Sequence, residues 1–267
     1  MISPNLKSGN QSVSILCKEM FSKVGFLLSI ISLCIFVHGR DELSNIHIQV
    51  ASRHTLEKAP PKGEMIRIAI LVPTHSHSIY PDIKSSPIFA HLLPSLNLFL
   101  EPQYEYCLYV AHDKNDLPYQ SQHNSIYHEI AMAFLEETHN KGLHTHLIFL
   151  DFDNTQHGPG PAMNYIALSA HADGADYFFR INDDTELKNH FTSKFIATLL
   201  SFNPPNLGVV GPLCRQGNTA ILTHDFVHST HIDIFGYYYP VQLTDWWLDD
   251  WITKIYEAID RKVVLQD

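Results

Sequence analysis

Asn182-Asp183-Asp184-Thr185-Glu186 sets three carboxylates within five residues. Adjacent carboxylates repel, so such a run is favourable only when it is solvated or holds a cation. Hard oxygen ligands of this type suit Mn²⁺ or Mg²⁺, with diphosphate oxygens completing the octahedron. The plain alternative is an exposed acidic turn that caps the next helix, with Asp or Thr as N-cap. A second group of residues points to different chemistry. His224, His228 and His231 stand at i, i+4 and i+7, so a helix would put all three on one face. With Asp225 the stretch is a near miss of the His-Glu-x-x-His zinc motif, and a zinc-dependent hydrolase is the rival class. Two features count against that rival. Asp is one methylene shorter than the motif's general base, and Thr219-Ala-Ile-Leu-Thr223 just ahead is strand-like. His75-Ser-His77 and His144-Thr-His146 have strand spacing and read as polar rim residues.

These groups need elements to position them. Ile66–Pro73 is an unbroken apolar run after its second residue, as in a strand buried on both faces of a parallel sheet. Helical stretches are expected at 87–100, 124–138 and 161–173. Strands are expected at 105–111, 147–150 and 176–182, with Asp151 and Asp153 just past the end of the third. Such alternation predicts an α/β protein with a doubly wound, mostly parallel sheet and helices on both faces. Ligands of these sheets bind outside the carboxyl ends of the strands. That rule selects Pro73–His77 (with Thr74 and His75), His112-Asp113, Asp151–Asp153 and Asn182–Glu186.

Composition narrows the partners. The chain has 267 residues, 45% of them hydrophobic, and a formal net charge of −10. Residues 1–40 hold Lys7, Lys18, Lys23 and Arg40 against Glu19, leaving −13 on the remainder. No basic stripe exists to follow phosphates, which excludes nucleic acid as a partner. Eighteen histidines invite a metal, although most histidines on a surface are merely solvated. Cys17 and Cys34 flank or enter an apolar segment; Cys107 and Cys214 could pair in an oxidising lumen, but burial as small apolar residues is the reading adopted. Residues 24–37 are uncharged. A helix of that length covers roughly 21 Å against a hydrocarbon core of roughly 30 Å. The run is either a short signal-anchor, with Lys18 and Lys23 on the cytosolic side, or a signal peptide cut after Gly39. The anchor is preferred, because the polar stretch ahead of it is long. The expected layout is a cytosolic tail (1–23), the anchor (24–39), a Pro-bearing stem (40–64) and a folded domain (65–267). It implies membrane attachment and the secretory pathway: a single-pass type II protein of Golgi or ER, or a secreted one.

Within that domain, Pro159-Gly-Pro-Ala-Met-Asn164, followed by Gly174-Ala-Asp-Tyr-Phe-Phe-Arg-Ile-Asn-Asp-Asp184, resembles the central segment of GT-A fold glycosyltransferases, of the nucleotide-diphospho-sugar transferase superfamily. In those enzymes a small-residue turn and an Asn open a helix, and a Gly-x-Asp-Tyr turn leads into a strand ending in an Asp-x-Asp metal motif. The resemblance runs from about 66 to 255. It implies Asp184 as chief metal ligand, helped by Asn182 or Glu186, with Asp183 against the sugar or ribose. Asn182 departs from the motif, bringing a carbonyl where an Asp is usual. The end of the first strand, Thr74 and His75, would contact the base, and Asp151, Asp153 and Asn164 are expected among the substrate-binding residues. Thr244-Asp-Trp-Trp-Leu-Asp249-Asp250-Trp251 resembles the acidic helix start of the acceptor half, where Asp249 or Asp250 would remove the acceptor's hydroxyl proton. His224 and Asp225 would orient that hydroxyl. Trp246 and Trp247 would contact substrate, although Trp247 and Trp251 share a helical face suited to core packing. The implied function is metal-assisted transfer of a sugar from a nucleotide-sugar donor to a glycan or glycoprotein acceptor. A non-catalytic sugar-binding relative is a third reading. Residues 252–267 lack the late His ligand common in such enzymes, so either the chain continues further or another group serves.

Overall fold

The computed structural model describes residues 59–76, 82–116, 125–156, 158–215 and 218–266. The expected tail, the apolar run of 24–37 and most of the stem lie outside these residues. Among the described residues, no helix is long and apolar enough to cross a membrane.

Seven strands of the described residues form one sheet: β1 (Arg67–Pro73), β2 (Glu105–Asp113), β3 (His144–Phe152), β4 (Tyr177–Arg180), β5 (Val209–Pro212), β6 (Asp225–His228) and β7 (Lys262–Leu265). Their order is β3-β2-β1-β4-β6-β5-β7. The first four are parallel, β6 runs antiparallel to β4 and β5, and β7 is parallel to β5. The expected doubly wound architecture is therefore present, with one antiparallel strand inserted.

Among the described residues, six α-helices accompany the sheet: α1 (Leu93–Phe99), α2 (Ser125–Asn140), α3 (Pro159–Ala172), α4 (Thr192–Leu200), α5 (Thr230–Phe235) and α6 (Leu248–Glu257). Alternation along β1 explains why its run is apolar throughout. Ile68, Ile70 and Val72 join the core layer that holds Leu92, Leu96, Phe134, Phe195 and Leu199 of the 88–99 segment, α2 and α4. Ala69 and Leu71 join the opposite layer, which contains Ile166 and Ala170 of α3 and Ile252 of α6. Every one of Ile68–Val72 has no exposed surface. The helix expected at 87–100 opens as a wide π turn over Ile88–Leu92 and tightens into α1, with Pro94 in the first turn where it has no amide to contribute.

At the amino end of the strands, Arg67 is fully buried and holds Glu105 at 2.7 Å, the Asp173 carbonyl at 2.6 Å and the Pro60 carbonyl at 2.9 Å. Lys62 pairs with Asp176 there as well. His144 is exposed at the start of β3 and His146 is half-buried near Glu105, at this same end. Cys107 is buried and Cys214 half-buried, both as free thiols.

Several elements depart from expectation. β3 runs two residues further than expected, so Asp151 lies inside the strand, in register with His112. β4 stops at Arg180, short of Asn182. The strand-like 219–223 stretch is irregular, and the strand falls instead on 225–228.

Candidate functional site

From β1 the chain builds outward through β2 and β3, then returns to place β4 on β1's other side. The carboxyl ends of β1 and β4 thus meet where the winding reverses, the place where open α/β sheets leave a crevice for ligands. Thr74 continues the ladder, its amide bonding to Ala111 O at 2.8 Å. Its hydroxyl donates to Asp183 Oδ2 at 2.6 Å, bridging the two strand ends. Asn182 and Asp184 are exposed beside that bridge. Thr185 and His224 Nε2 are 2.9 Å apart, which fastens the acidic turn to the segment entering β6. Glu186 faces Lys188 Nζ at 2.6 Å, a contact that holds its carboxyl below the usual range. A cleft of about 1060 Å³ opens alongside, lined in part by Asn182, Asp184, Thr185, Phe191, Thr223 and His224.

The neighbouring strand ends carry the other expected groups. Buried His112 faces Asp151 Oδ1 at 3.2 Å, whereas Asp153 and His75 are exposed. Asp116 accepts from the Ser76 amide, tying the β1 and β2 exits together.

A buried ionic cluster behind β4 was missed in the sequence. Arg180 points to the α3/α6 side of the sheet. Its guanidinium donates to the Thr223 carbonyl and to Asp249 Oδ1 at the start of α6. Asp225, opposite Arg180 in the β4–β6 register, has no exposed surface and accepts from the hydroxyls of Tyr238, at 2.5 Å, and Tyr239, at 2.9 Å. Burial pushes the Asp225 carboxyl up to about 6, against the pull of Arg180 and the two hydroxyls. Burial also raises Asp249, opposed by Arg180. Burial disfavours charge on Arg180, but the rings and carboxylates around it outweigh that effect and keep it protonated. The available signal was a lone Arg inside the apolar run Tyr177-Phe-Phe-Arg180: a charge in a buried strand needs a partner.

Asn164, expected to bind substrate, is 6% exposed and serves the backbone. Its Oδ1 accepts from the amides of Tyr238 and Tyr239, each at 2.9 Å, and its Nδ2 donates to Tyr239 O at 2.8 Å. Its role in this fold is to fix the two tyrosines that serve Asp225. Asp225 is itself sealed, so its carboxylate cannot meet an acceptor hydroxyl directly.

The three-histidine face does not form. His224 precedes β6, His228 ends it and His231 lies in α5, so no single helix carries them. His231 is 1% exposed and both ring nitrogens are used: Nδ1 accepts from Tyr256 and Nε2 donates to Tyr238 O, each at 2.8 Å. Burial lowers its pKa to about 4. Zinc there would have to break two buried hydrogen bonds.

Core packing is likewise corrected for one tryptophan. Trp251 packs against the α3-side core, but Trp246 and Trp247 are 79% and 68% exposed. Asp250 sits half-buried next to Asp249.

Among the described residues, no three His, Cys, Asp or Glu side chains converge as a ready metal cage. The donor set nonetheless suits a shared cation. Asp184 and Asn182 offer hard oxygens from an open turn, which is what an ion completing its shell with diphosphate requires.

No family model matches the chain, and no curated protein matches it. Among solved structures, the chain is similar to S. aureus TarS, with 18% identity, a TM-score of 0.46, and coverage of 75% of this chain and 35% of that one. It is also similar to a cytidylyltransferase from Leptospira borgpetersenii serovar Hardjo-bovis, with 12% identity, a TM-score of 0.43 and coverage of 76% of each chain. The chain spans about a third of the TarS chain. The fold class, a mostly parallel seven-stranded α/β sheet, rests on the strand order itself.

Proposed function

We propose that this chain is a glycosyltransferase that takes a sugar from a nucleoside-diphosphate donor and passes it to a carbohydrate or protein hydroxyl. The observation that carries the reading is that β4 carries one carboxylate group just past its end and holds another through its last residue. Asp183 and Asp184 stand at the switch-point crevice, and Arg180 of the same strand holds Asp249. In the proposed step the acceptor oxygen bonds to the anomeric carbon. The bond from that carbon to the diphosphate oxygen breaks, and the nucleoside diphosphate leaves with the electron pair. Asp249 takes the hydroxyl proton, and burial, by raising its pKa, suits it to that task. Asp250 is the alternative base. A Mn²⁺ or Mg²⁺ shared between Asp184, Asn182 and the donor would supply neutralising charge at the leaving group. Thr74 orients Asp183, and His224 steadies the acidic turn through Thr185.

The proposal also places the domain in the secretory pathway on the strength of residues 24–37, with no role for nucleic acid. A panel of nucleotide-sugars tested for metal-dependent hydrolysis decides it. Release of one nucleoside diphosphate, lost in Asp184→Ala, is the expected result. No turnover and no nucleotide binding across the panel, with or without Mn²⁺, would overturn the reading.

A further inference from the structure

Two adjacent carboxylates open α6, and only one of them is held. Asp249 accepts from the Arg180 guanidinium through Oδ1, and its side chain stays 25% exposed. No other side chain among the described residues grips that carboxylate, so Oδ2 is left to face what enters. Asp250, one residue on, is half-buried and has no side-chain partner among the described residues.

The group that holds Asp249 is itself fixed. Arg180 closes β4, and its other arm donates to the Thr223 carbonyl. The Tyr239 ring centroid lies 5.9 Å from the guanidinium carbon, and the Tyr239 hydroxyl donates to Asp225, which sits opposite Arg180 in the β4–β6 register. Asn164 of α3 fixes the backbone of both tyrosines. A planar fork cannot turn without breaking one of these contacts, so the carboxylate it grips keeps one orientation. A carboxylate without such a partner samples several rotamers. Charge points the same way. With Asp225 and Asp249 both ionised, Arg180 leaves the cluster one negative charge in excess, and a proton on Asp249 removes it. Burial raises the Asp249 carboxyl, Arg180 opposes that, and Asp250 beside it adds to the rise. His224, on the segment entering β6, is held down to about 4 by burial and by Arg180, and so adds no positive charge near neutral pH.

We propose that Arg180 is a positioning residue: it pins one oxygen of Asp249 and turns the other to the acceptor hydroxyl, which makes Asp249 the base and leaves Asp250 outside the proton transfer. The role of base rests on the glycosyltransferase reading, but the coupling of Arg180 to Asp249 does not, and the test measures the two apart. The full chain is prepared with isotope-labelled aspartate, and the Asp249 carboxyl signal is assigned by its loss in Asp249→Asn. Arg180→Met should move the titration of that signal upward by about one unit or more, the usual effect of losing a close opposite charge. The acid limb of kcat for transfer should move with it, while nucleotide affinity stays as in wild type. A merely structural Arg180 would lower the yield of folded protein and leave the limb in place. Arg180→Lys should keep the titration near that of wild type yet lower kcat about tenfold or more, because an ammonium supplies the charge without the fork. Arg180→Met combined with Asp225→Asn, which removes the sealed carboxylate along with the cation, reads the same titration if Arg180→Met alone does not fold. Three results would overturn the proposal: an Asp249 titration unmoved by loss of the Arg180 cation, full kcat in Arg180→Lys, or transfer that survives Asp249→Asn but is lost in Asp250→Asn. A moved titration in a chain that binds no nucleotide, with or without Mn²⁺, would instead sink the glycosyltransferase reading and leave the coupling standing.

Discussion

At the scale of single residues, the site separates groups that face a ligand from groups that hold others in place. On the proposed reading Asp184 belongs to the first kind, whereas His228, whose Nδ1 accepts from the Thr230 amide at 3.2 Å, belongs to the second. Manganese affinity should therefore rise when a nucleoside diphosphate is added, and nucleotide affinity should rise in manganese by the same factor. Calorimetry on Asp184→Ala should show that coupling abolished, and His228→Ala should keep it. Stoichiometric zinc lost only with His228→Ala would revive the hydrolase. The buried groups set the response to pH. Burial holds His224 and His231 at about 4, so each contributes stability that is complete above about 6.5 and is lost as pH falls through 4. Asp225, pushed up to about 6, acts in the opposite sense, favouring the fold as pH falls from about 6 towards its unfolded value near 4. Two histidines outweigh one carboxylate. The melting temperature should drop on acidification from pH 7 to 4.5, less steeply in His231→Gln and more steeply in Asp225→Asn. A melting temperature that rises over that range would contradict the assignment.

At the scale of elements, the start of α3 is where two loops are pressed together. Gly158→Ala drives a methyl into the Thr244 carbonyl, and should destabilise the domain by about 1–3 kcal/mol in urea unfolding. An unchanged midpoint would mean that the loop moves freely. How much of this was legible beforehand depends on the kind of element. β1, β2 and α3 carry long apolar or periodic runs, and their expected bounds lie within two residues of those observed. β5, β6 and β7 are four residues each, too short for periodicity to register, and β6 contains Asp225, which reads as polar until Tyr238 and Tyr239 are placed around it. The acidic turn was legible because its residues are neighbours in sequence. The Arg180–Asp249 pair was not, because 69 residues separate its members and only the fold brings them together. The exposure of Trp247 was hidden for a related reason: helical spacing was assumed one residue too early, where the chain is still left-handed.

At the scale of the molecule, the sheet has two unlike poles. The carboxyl ends of the first four strands carry the acidic turn, the Thr74 bridge and the cleft. The amino ends carry the Arg67 and Lys62 clamps, where the chain enters the domain through Pro60. If residues 24–37 anchor the protein, intact microsomes should protect 65–267 from added protease. Digestion from the cytosolic side would rule out a lumenal enzyme. The clamps have a geometric consequence of their own. β1 spans seven residues, roughly 23 Å at the usual rise, between its clamped end and Pro73. The described chain therefore enters the domain at the pole opposite the crevice. On the proposed reading, a tether that joins the domain at this lower pole would leave the crevice at the upper one open to bulky acceptors.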